Sequence, residues 1–182
     1  MANYGVVVLN KVAATDIGTL NRSALVSSQD IENGMVMQLA SRSSTTGEEE
    51  VWVGTVPSSS AGLTHLWMAY SPELSRVVSG SSTYLGLNPD PRQHFNAQGK
   101  VFDVFKPQVG DIITLTADAI TGDKSTNTHV VATASDFQLN WASAAVSGLS
   151  LKLLDTTYIS LPDGGINTGR VAAYRFECVA IA

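Results

Sequence analysis

Three kinds of side chain in this sequence have the chemistry of a reactive site: carboxylates, histidines and one cysteine. Glu48, Glu49 and Glu50 form a run of acids, and a pair of carboxylates is what glycoside hydrolysis requires. Such a pair stands about 5–10 Å apart across a cleft, with each acid in a different environment. Three consecutive glutamates share one environment, so the run predicts a solvated loop rather than a general acid and base.

Metal-ligand patterns are weak in the sequence. Asp118 and Asp123 bracket a Thr-Gly pair, and calcium prefers several oxygen ligands on a glycine-containing loop. The spacing is not that of an EF-hand, and Lys124 adds an unfavourable charge, so a cation site is the minor interpretation. The histidines are His65, His94 and His129. They are far apart in sequence and match no H-E-x-x-H spacing, so we predict no metal and no cofactor.

Packing explains the remaining candidates better than reactivity does. Cys178 shares an alternating face with Tyr174 and Phe176, and a free cysteine is among the most buried residue types. The pattern therefore favours a core thiol over a nucleophile. His65 lies in an apolar segment, which favours a packed position in the core or at its rim. No G-x-S-x-G elbow surrounds any serine, so we predict no catalytic residues.

The tryptophans leave two interpretations open. Trp52, Trp67 and Trp141 each fall within an alternating pattern, and large aromatic side chains mostly fill cores. Gathered on an exposed face, the same rings would form a platform for a sugar. A carbohydrate- or receptor-binding module is therefore the alternative function, and the exposure of these rings discriminates between the two.

Short β-strands are the elements that would position these residues. A period of two in hydrophobicity recurs along the chain and indicates strands with one buried face. Turn signals separate the strands, among them Asn33-Gly34 and Pro162-Asp163-Gly164-Gly165. The pattern predicts an all-β fold, an antiparallel β-sandwich or barrel with long irregular loops and at most short helical turns. The clearest strand segments are residues 34–40, 51–56, 110–117, 137–142, 149–154, 157–161 and 171–182.

The chain length of 182 residues suits a single β domain covering residues 1–182. Residues 71–100 predict a long irregular insertion with a short strand at residues 84–87, because proline and glycine recur there. Residues 1–20 predict either an N-terminal arm or a first strand. The apolar run within this segment contains Tyr4, Val6, Val7, Val8 and Leu9.

Composition argues against two classes of partner. Charged residues make up 15% of the chain and the net charge is −5, so the basic surface that attracts nucleic-acid phosphates is missing. No segment reaches the roughly 18 apolar residues of a membrane span, and the N-terminal residues lack the regions of a secretion signal. We therefore expect a protein made in the cytoplasm, with no nucleic-acid partner and no membrane partner.

Four segments resemble the head proteins of tailed bacteriophages. They are NGMV (residues 33–36), EVWVGTVP (50–57), LWMAYSPE (66–73) and FDVFKPQVGDIITL (102–115). The resemblance extends as a general pattern from residue 33 to residue 176. It is to the small structural proteins, including decoration or cement proteins and minor capsid proteins, that accompany a major capsid protein. Decoration proteins bind the outer face of an expanded capsid, often as trimers, and bridge neighbouring capsomers.

The resemblance implies a non-enzymatic virion protein of the capsid surface, assembled in the cytoplasm of the bacterial host. The implied partners are the major capsid protein and further copies of this chain, with a trimer as one form. The apolar run from Tyr4 to Leu9 is the candidate capsid contact, because an unpaired strand can add to a neighbouring sheet. Its alternative is an ordinary first strand. An enzyme with a site outside the known motifs is a third hypothesis.

Overall fold

The computed structural model describes residues 3–44, 50–58, 63–79, 82–87, 90–162 and 168–181. These residues form β-strands and short 3₁₀ turns, with no α-helix among them, so the all-β prediction is confirmed. Nowhere in the described ranges does a helix reach the length and hydropathy needed to cross a membrane. The strands are β1 (Val7–Lys11), β2 (Asn21–Leu25), β3 (Val36–Arg42), β4 (Val51–Thr55), β5 (Leu66–Ala69), β6 (Leu74–Ser79), β7 (Ser82–Leu87), β8 (Val101–Phe105), β9 (Ile112–Thr116), β10 (Ile120–Thr121), β11 (His129–Ala132), β12 (Leu139–Ala142), β13 (Ser150–Pro162) and β14 (Thr168–Ala180).

The strands divide into a closed barrel, a seven-stranded sheet and a separate hairpin. The barrel has the order β2-β4-β3-β5-β8, and the sheet has the order β1-β9-β14-β13-β11-β12-β10. Strands β6 and β7 pair only with each other among the described strands. Most pairings are antiparallel, while the β2–β4 and β10–β12 pairings are parallel.

Two hydrophobic clusters hold these layers together. One fills the barrel interior with side chains that include Met37, Trp67 and Phe102. The other lies between the outer wall of the barrel and one face of the sheet, where Phe105 of the barrel and Phe176 of the sheet are both buried. Full burial of a side chain of this size is worth about 1.5–3 kcal/mol. The barrel and the sheet therefore share one core.

The predicted Asn33-Gly34 turn is confirmed, and its asparagine side chain also forms long-range hydrogen bonds. Gly34 has a φ of +94°, a conformation that favours glycine. The buried Asn33 amide donates to the Ser71 carbonyl oxygen at 2.9 Å and accepts the Ser71 N–H at 3.0 Å. The Asn96 amide also donates to the Asn33 side-chain oxygen, at 3.3 Å. The turn is thus tied to two distant segments of the chain.

Two expectations about local structure are wrong. The region 71–100 is not irregular throughout, because β6 and β7 form a six-pair antiparallel hairpin within it. The short strand predicted at residues 84–87 is confirmed as part of β7. Residues 150–154 and 157–161 belong to the single strand β13, whose pairing register shifts between Leu153 and Asp155. This β-bulge interrupts the alternation and makes one strand look like two. Pro162 ends β13, and Asp163, Gly164 and Gly165 of the predicted turn lie outside the described residues.

Filling the barrel interior at Gly54 should destabilise the fold. A Cβ atom at Gly54 would stand 2.7 Å from Met37 Sδ and 2.8 Å from Val26 Cγ2, so Gly54→Val must displace buried side chains. We expect the free energy of unfolding to fall by about 1–3 kcal/mol, measured by urea denaturation. Gly18→Val is the control, because nothing lies within 4 Å of a Cβ there. A Gly54→Val protein as stable as the parent would contradict the packing described for the barrel interior.

Candidate functional site

The chemically reactive candidates do not converge in the structure. Within the described ranges, no group of three His, Cys, Asp or Glu side chains is placed to hold a metal ion. His65 is exposed and precedes β5. Its predicted packed position in the core or at its rim is wrong because the strand begins one residue later. His94 follows the 3₁₀ turn Pro91–Gln93, and His129 lies in β11. Glu50 is exposed, while Glu48 and Glu49 lie outside the described residues.

The prediction of a core thiol at Cys178 is confirmed. The side chain is 1% exposed and belongs to the cluster shared by the barrel and the sheet. Burial, reinforced by the nearby carboxylate of Asp111, raises the pKa of this thiol to about 12. A thiol of this kind stays protonated at neutral pH, whereas the thiolate is the nucleophilic form.

The N-terminal apolar run is the first strand of the sheet. Strand β1 pairs antiparallel with β9, and Val6 and Val7 are both buried. Of the two alternatives from the sequence, an arm or a first strand, the structure shows the strand. Val8 is exposed and Leu9 is partly buried. Contact of this run with a capsid stays a prediction.

Polar and aromatic contacts hold the residues that precede β1. The N–H of Gly5 donates to Glu32 Oε2 at 2.7 Å, and the N–H of Val6 donates to Thr116 Oγ1 at 3.0 Å. The ring of Tyr4 packs on Phe95 with 5.2 Å between ring centres. The segment from Tyr4 onwards is therefore fixed to the body of the protein in this chain.

The tryptophans are distributed over different parts of the structure. Trp67 is buried in the barrel, and Trp141 packs edge-on against Tyr174 with 5.2 Å between ring centres. Trp52 is partly buried, and the guanidinium group of Arg22 lies over its ring. Core filling therefore accounts for Trp67 and Trp141. The three rings do not form one exposed platform.

A two-stranded ribbon extends beyond the seven-stranded sheet. Strands β13 and β14 pair along their length, from Ser150 opposite Ala180 to Pro162 opposite Thr168. Strand β9 covers β14 only from Ala173 to Glu177, and β11 covers β13 only from Ser150 to Lys152. Residues 155–162 and 168–172 consequently have no third strand beside them among the described strands. We call these two stretches the ribbon.

The base of the ribbon borders a groove of about 270 Å³. Tyr158, which is 61% exposed, lies at this groove together with Ile159 of the same strand and Val8 of β1. Arg175 donates to Asp155 Oδ2 at 3.3 Å, while its buried Nε has no partner among the described residues. The groove therefore combines exposed apolar surface with a polar group whose hydrogen bonding is incomplete.

Sequence reasoning missed the ribbon for an identifiable reason. The length of β13 and β14, 13 residues each, contrasts with the four to seven residues of the barrel strands. This difference in length was the available signal. It was hidden because the bulge near Leu154 divided the pattern of β13.

Comparisons of the chain with models of protein families, with curated proteins and with solved structures found no match. The function is therefore argued from the residues and their geometry. The features that bear on it are the ribbon, the edge strand β1 and the arginines Arg22 and Arg42, whose guanidinium groups lie over the Trp52 ring.

Anchoring of the N-terminal residues should depend on pH through Glu32. Burial raises the pKa of this carboxyl above its ordinary 4.5; the Gly5 N–H opposes the shift and the charge of Asp118 adds to it. The folded protein therefore binds more protons than the unfolded chain just above pH 4.5, and stability falls as pH rises through that window. Glu32→Gln still accepts the Gly5 N–H but does not titrate.

We expect Glu32→Gln to lessen this fall in stability, measured as urea midpoints from about pH 4 to pH 8. Glu50→Gln, which removes an exposed glutamate, is the control. Parent and Glu32→Gln proteins with parallel pH profiles would show that the Glu32 carboxyl titrates alike in the folded and unfolded chains.

Proposed function

We propose that this chain is a structural protein of a tailed-bacteriophage virion. In this proposal it acts as a decoration or minor head protein that binds the capsid lattice and stabilises it. The resemblance of residues 33–36, 50–57, 66–73 and 102–115 to phage head proteins supports the class of protein. The observation that carries the proposal is the ribbon, because it provides a surface for binding a neighbouring protein.

The edges of the ribbon support binding by strand addition. The outer edge of a two-stranded ribbon presents backbone N–H and C=O groups that can pair with another chain. Residues 155–160 read DTTYIS and contain neither lysine nor proline, the residues that commonly protect a strand edge; Pro162 lies at the end of the strand. Threonine, tyrosine and isoleucine favour the extended conformation. A partner strand at this edge would cover backbone and apolar surface together.

Binding that is specific to the mature lattice has a direct thermodynamic consequence. A protein that binds only one state of its partner stabilises that state by mass action, by about 2.7 kcal/mol per site at a concentration of 100 times Kd. Packaged DNA strains the seams between capsomers, so this stabilisation acts where the shell is weakest. The low content of charged residues, 15%, suits a contact made of many modest polar interactions.

Self-association belongs to the same proposal. A trimer would present several ribbons about one axis, and simultaneous contacts raise the overall affinity well above that of one contact. Light scattering of the purified protein measures the mass in solution. A monomer at all concentrations would remove the trimer from the proposal without affecting binding of a single ribbon.

A carbohydrate- or receptor-binding module of a phage tail or fibre is the second candidate. The groove at the ribbon base favours it, because an exposed ring, Tyr158, stands beside the polar side chains of Asn10, Ser160 and Arg175. Sugar sites combine an aromatic face with hydrogen-bonding groups in this way. Saturable binding on a glycan array that Tyr158→Ala abolishes would favour this module over a capsid protein.

The capsid proposal is tested with expanded, DNA-free heads of the phage whose genome encodes the chain. We expect saturable binding with a Kd in the micromolar range or below. Tyr158→Glu places a charge in the proposed contact and should weaken binding by about tenfold or more, as for an aromatic side chain at the centre of an interface. Co-sedimentation with the heads gives the bound fraction.

Val109→Glu is the matched control for Tyr158→Glu. Val109 is 62% exposed, close to the 61% of Tyr158, and lies in the connection between β8 and β9 rather than on the ribbon. It should bind as the parent does. No binding at micromolar protein would overturn the capsid proposal. Equal binding by both variants and the parent would support binding to the capsid but would show that the ribbon is not the contact surface.

A further inference from the structure

Two arginines and two tryptophans alternate at one end of the barrel. Cζ of Arg22 lies 4.4 Å from the ring centre of Trp52 and 4.9 Å from that of Trp67. Cζ of Arg42 lies 5.8 Å from the ring centre of Trp52. The order is thus Trp67, Arg22, Trp52, Arg42, and we call these four side chains the arginine–tryptophan ladder.

The strand register of the barrel brings the ladder together. Strands β2 and β4 run parallel, with Ala24 opposite Trp52, so Arg22 near the start of β2 lies close to the start of β4. Strand β3 runs antiparallel to β4 and places Arg42, its last residue, opposite Trp52. Trp67 follows the first residue of β5. Each side chain therefore comes from a strand terminus at the same end of the barrel.

The ladder has a fixed base and an exposed top. Trp67 is 8% exposed and packs in the barrel interior, whereas Arg22 and Arg42 are exposed. A guanidinium group stacked on an indole keeps the N–H groups on its edge available for paired hydrogen bonds to a carboxylate. Stacking also limits its rotation, so less conformational entropy is lost when an acid binds.

Neither arginine of the ladder has an acidic partner in the described part of the chain. The ion pairs found there are Arg92–Asp90 and Arg175–Asp155. Glu50, which precedes β4 and is exposed, forms an ion pair with neither ladder arginine. The ladder is therefore a pair of positive charges without a counterion among these residues, on a chain whose net charge is −5.

We propose that the arginine–tryptophan ladder is a contact site for an acidic segment of a partner protein. Carboxylates of that segment accept paired hydrogen bonds from Arg22 and Arg42, while Trp52 supplies apolar area between them. Arginine and tryptophan are the residue types most enriched where protein interfaces gain their affinity. Complementary charge then selects an acidic partner over a basic one.

The geometry favours a protein over the other polyanions. Single-stranded nucleic acid binds by stacking its bases on aromatic faces, but guanidinium groups lie over the Trp52 ring and Trp67 is buried. The same guanidinium groups compete with a sugar ring for the faces of Trp52. The net charge of −5 repels a long polyanion, whereas two arginines match the few carboxylates of a short segment.

The test uses the full-length protein and hexaglutamate blocked at both ends. We expect the indole N–H resonances of Trp52 and Trp67 to shift saturably in NMR spectra, while that of Trp141 stays in place. Arg42→Gln should weaken binding by about tenfold or more, because it removes the charge-assisted hydrogen bonds that Arg42 donates. Arg170→Gln removes the same charge from the ribbon and should bind as the parent does.

A second variant guards against loss of folding. Arg22→Lys keeps the charge but loses the planar pair of donors, and it too should weaken binding; thermal unfolding of each variant confirms that it is folded. Three results would overturn the proposal. They are the absence of a Trp52 shift, equal binding of Arg42→Gln and Arg170→Gln, and an equal shift with hexalysine. An acidic oligosaccharide, oligogalacturonate, and a nucleic acid, oligothymidylate, are the competing ligands. If either binds more tightly than hexaglutamate, the partner is not an acidic protein segment. None of these results depends on the capsid proposal.

Discussion

The contact between the outer wall of the barrel and the inner face of the sheet is the constraint on which the rest of the structure depends. The barrel strands have four to seven residues, and a sheet of such strands depends on packing of its hydrophobic faces for stability. Here Met68 and Phe105 of the barrel wall pack against Leu115 and Phe176 of the sheet in one buried cluster. The tight turn at Gly34 lies within this contact, since a Cβ there would stand 3.0 Å from a Val7 side-chain atom. Each layer therefore fixes the position of the other.

The same contact determines where the ribbon begins. The C-terminal half of β14 is held in the shared core through Phe176 and Cys178. On the face that carries Phe176, Tyr174 is partly buried and Ala172 is exposed. Burial against the shared core therefore decreases along these residues and ends where the ribbon begins. A ribbon fixed at its base presents its side chains in a defined direction, which lowers the entropy lost when a partner binds.

Local sequence patterns predict the strands of this protein but not their arrangement. Period-two alternation was sufficient for the all-β class, and the face of Cys178 was readable from its neighbours alone. The division into barrel and sheet depends on pairings between distant segments, such as the parallel pair of β2 and β4, which no local pattern encodes. For the same reason the stacking of Arg22 on Trp52 could not be predicted. The ribbon was partly predictable, because only the bulge near Leu154 concealed its length.

The way the fold treats its strand edges separates the ribbon from the remainder of the sheet. Edge strand β1 carries Lys11 and an irregular register between Leu9 and Lys11, and the opposite edge strand, β10, has only two residues. Lysine, bulges and short length all hinder pairing with another chain. The ribbon has none of these features along residues 155–160. Since an unprotected edge promotes aggregation unless a partner covers it, this contrast within one sheet is the physical reason for proposing the capsid contact at the ribbon rather than at β1.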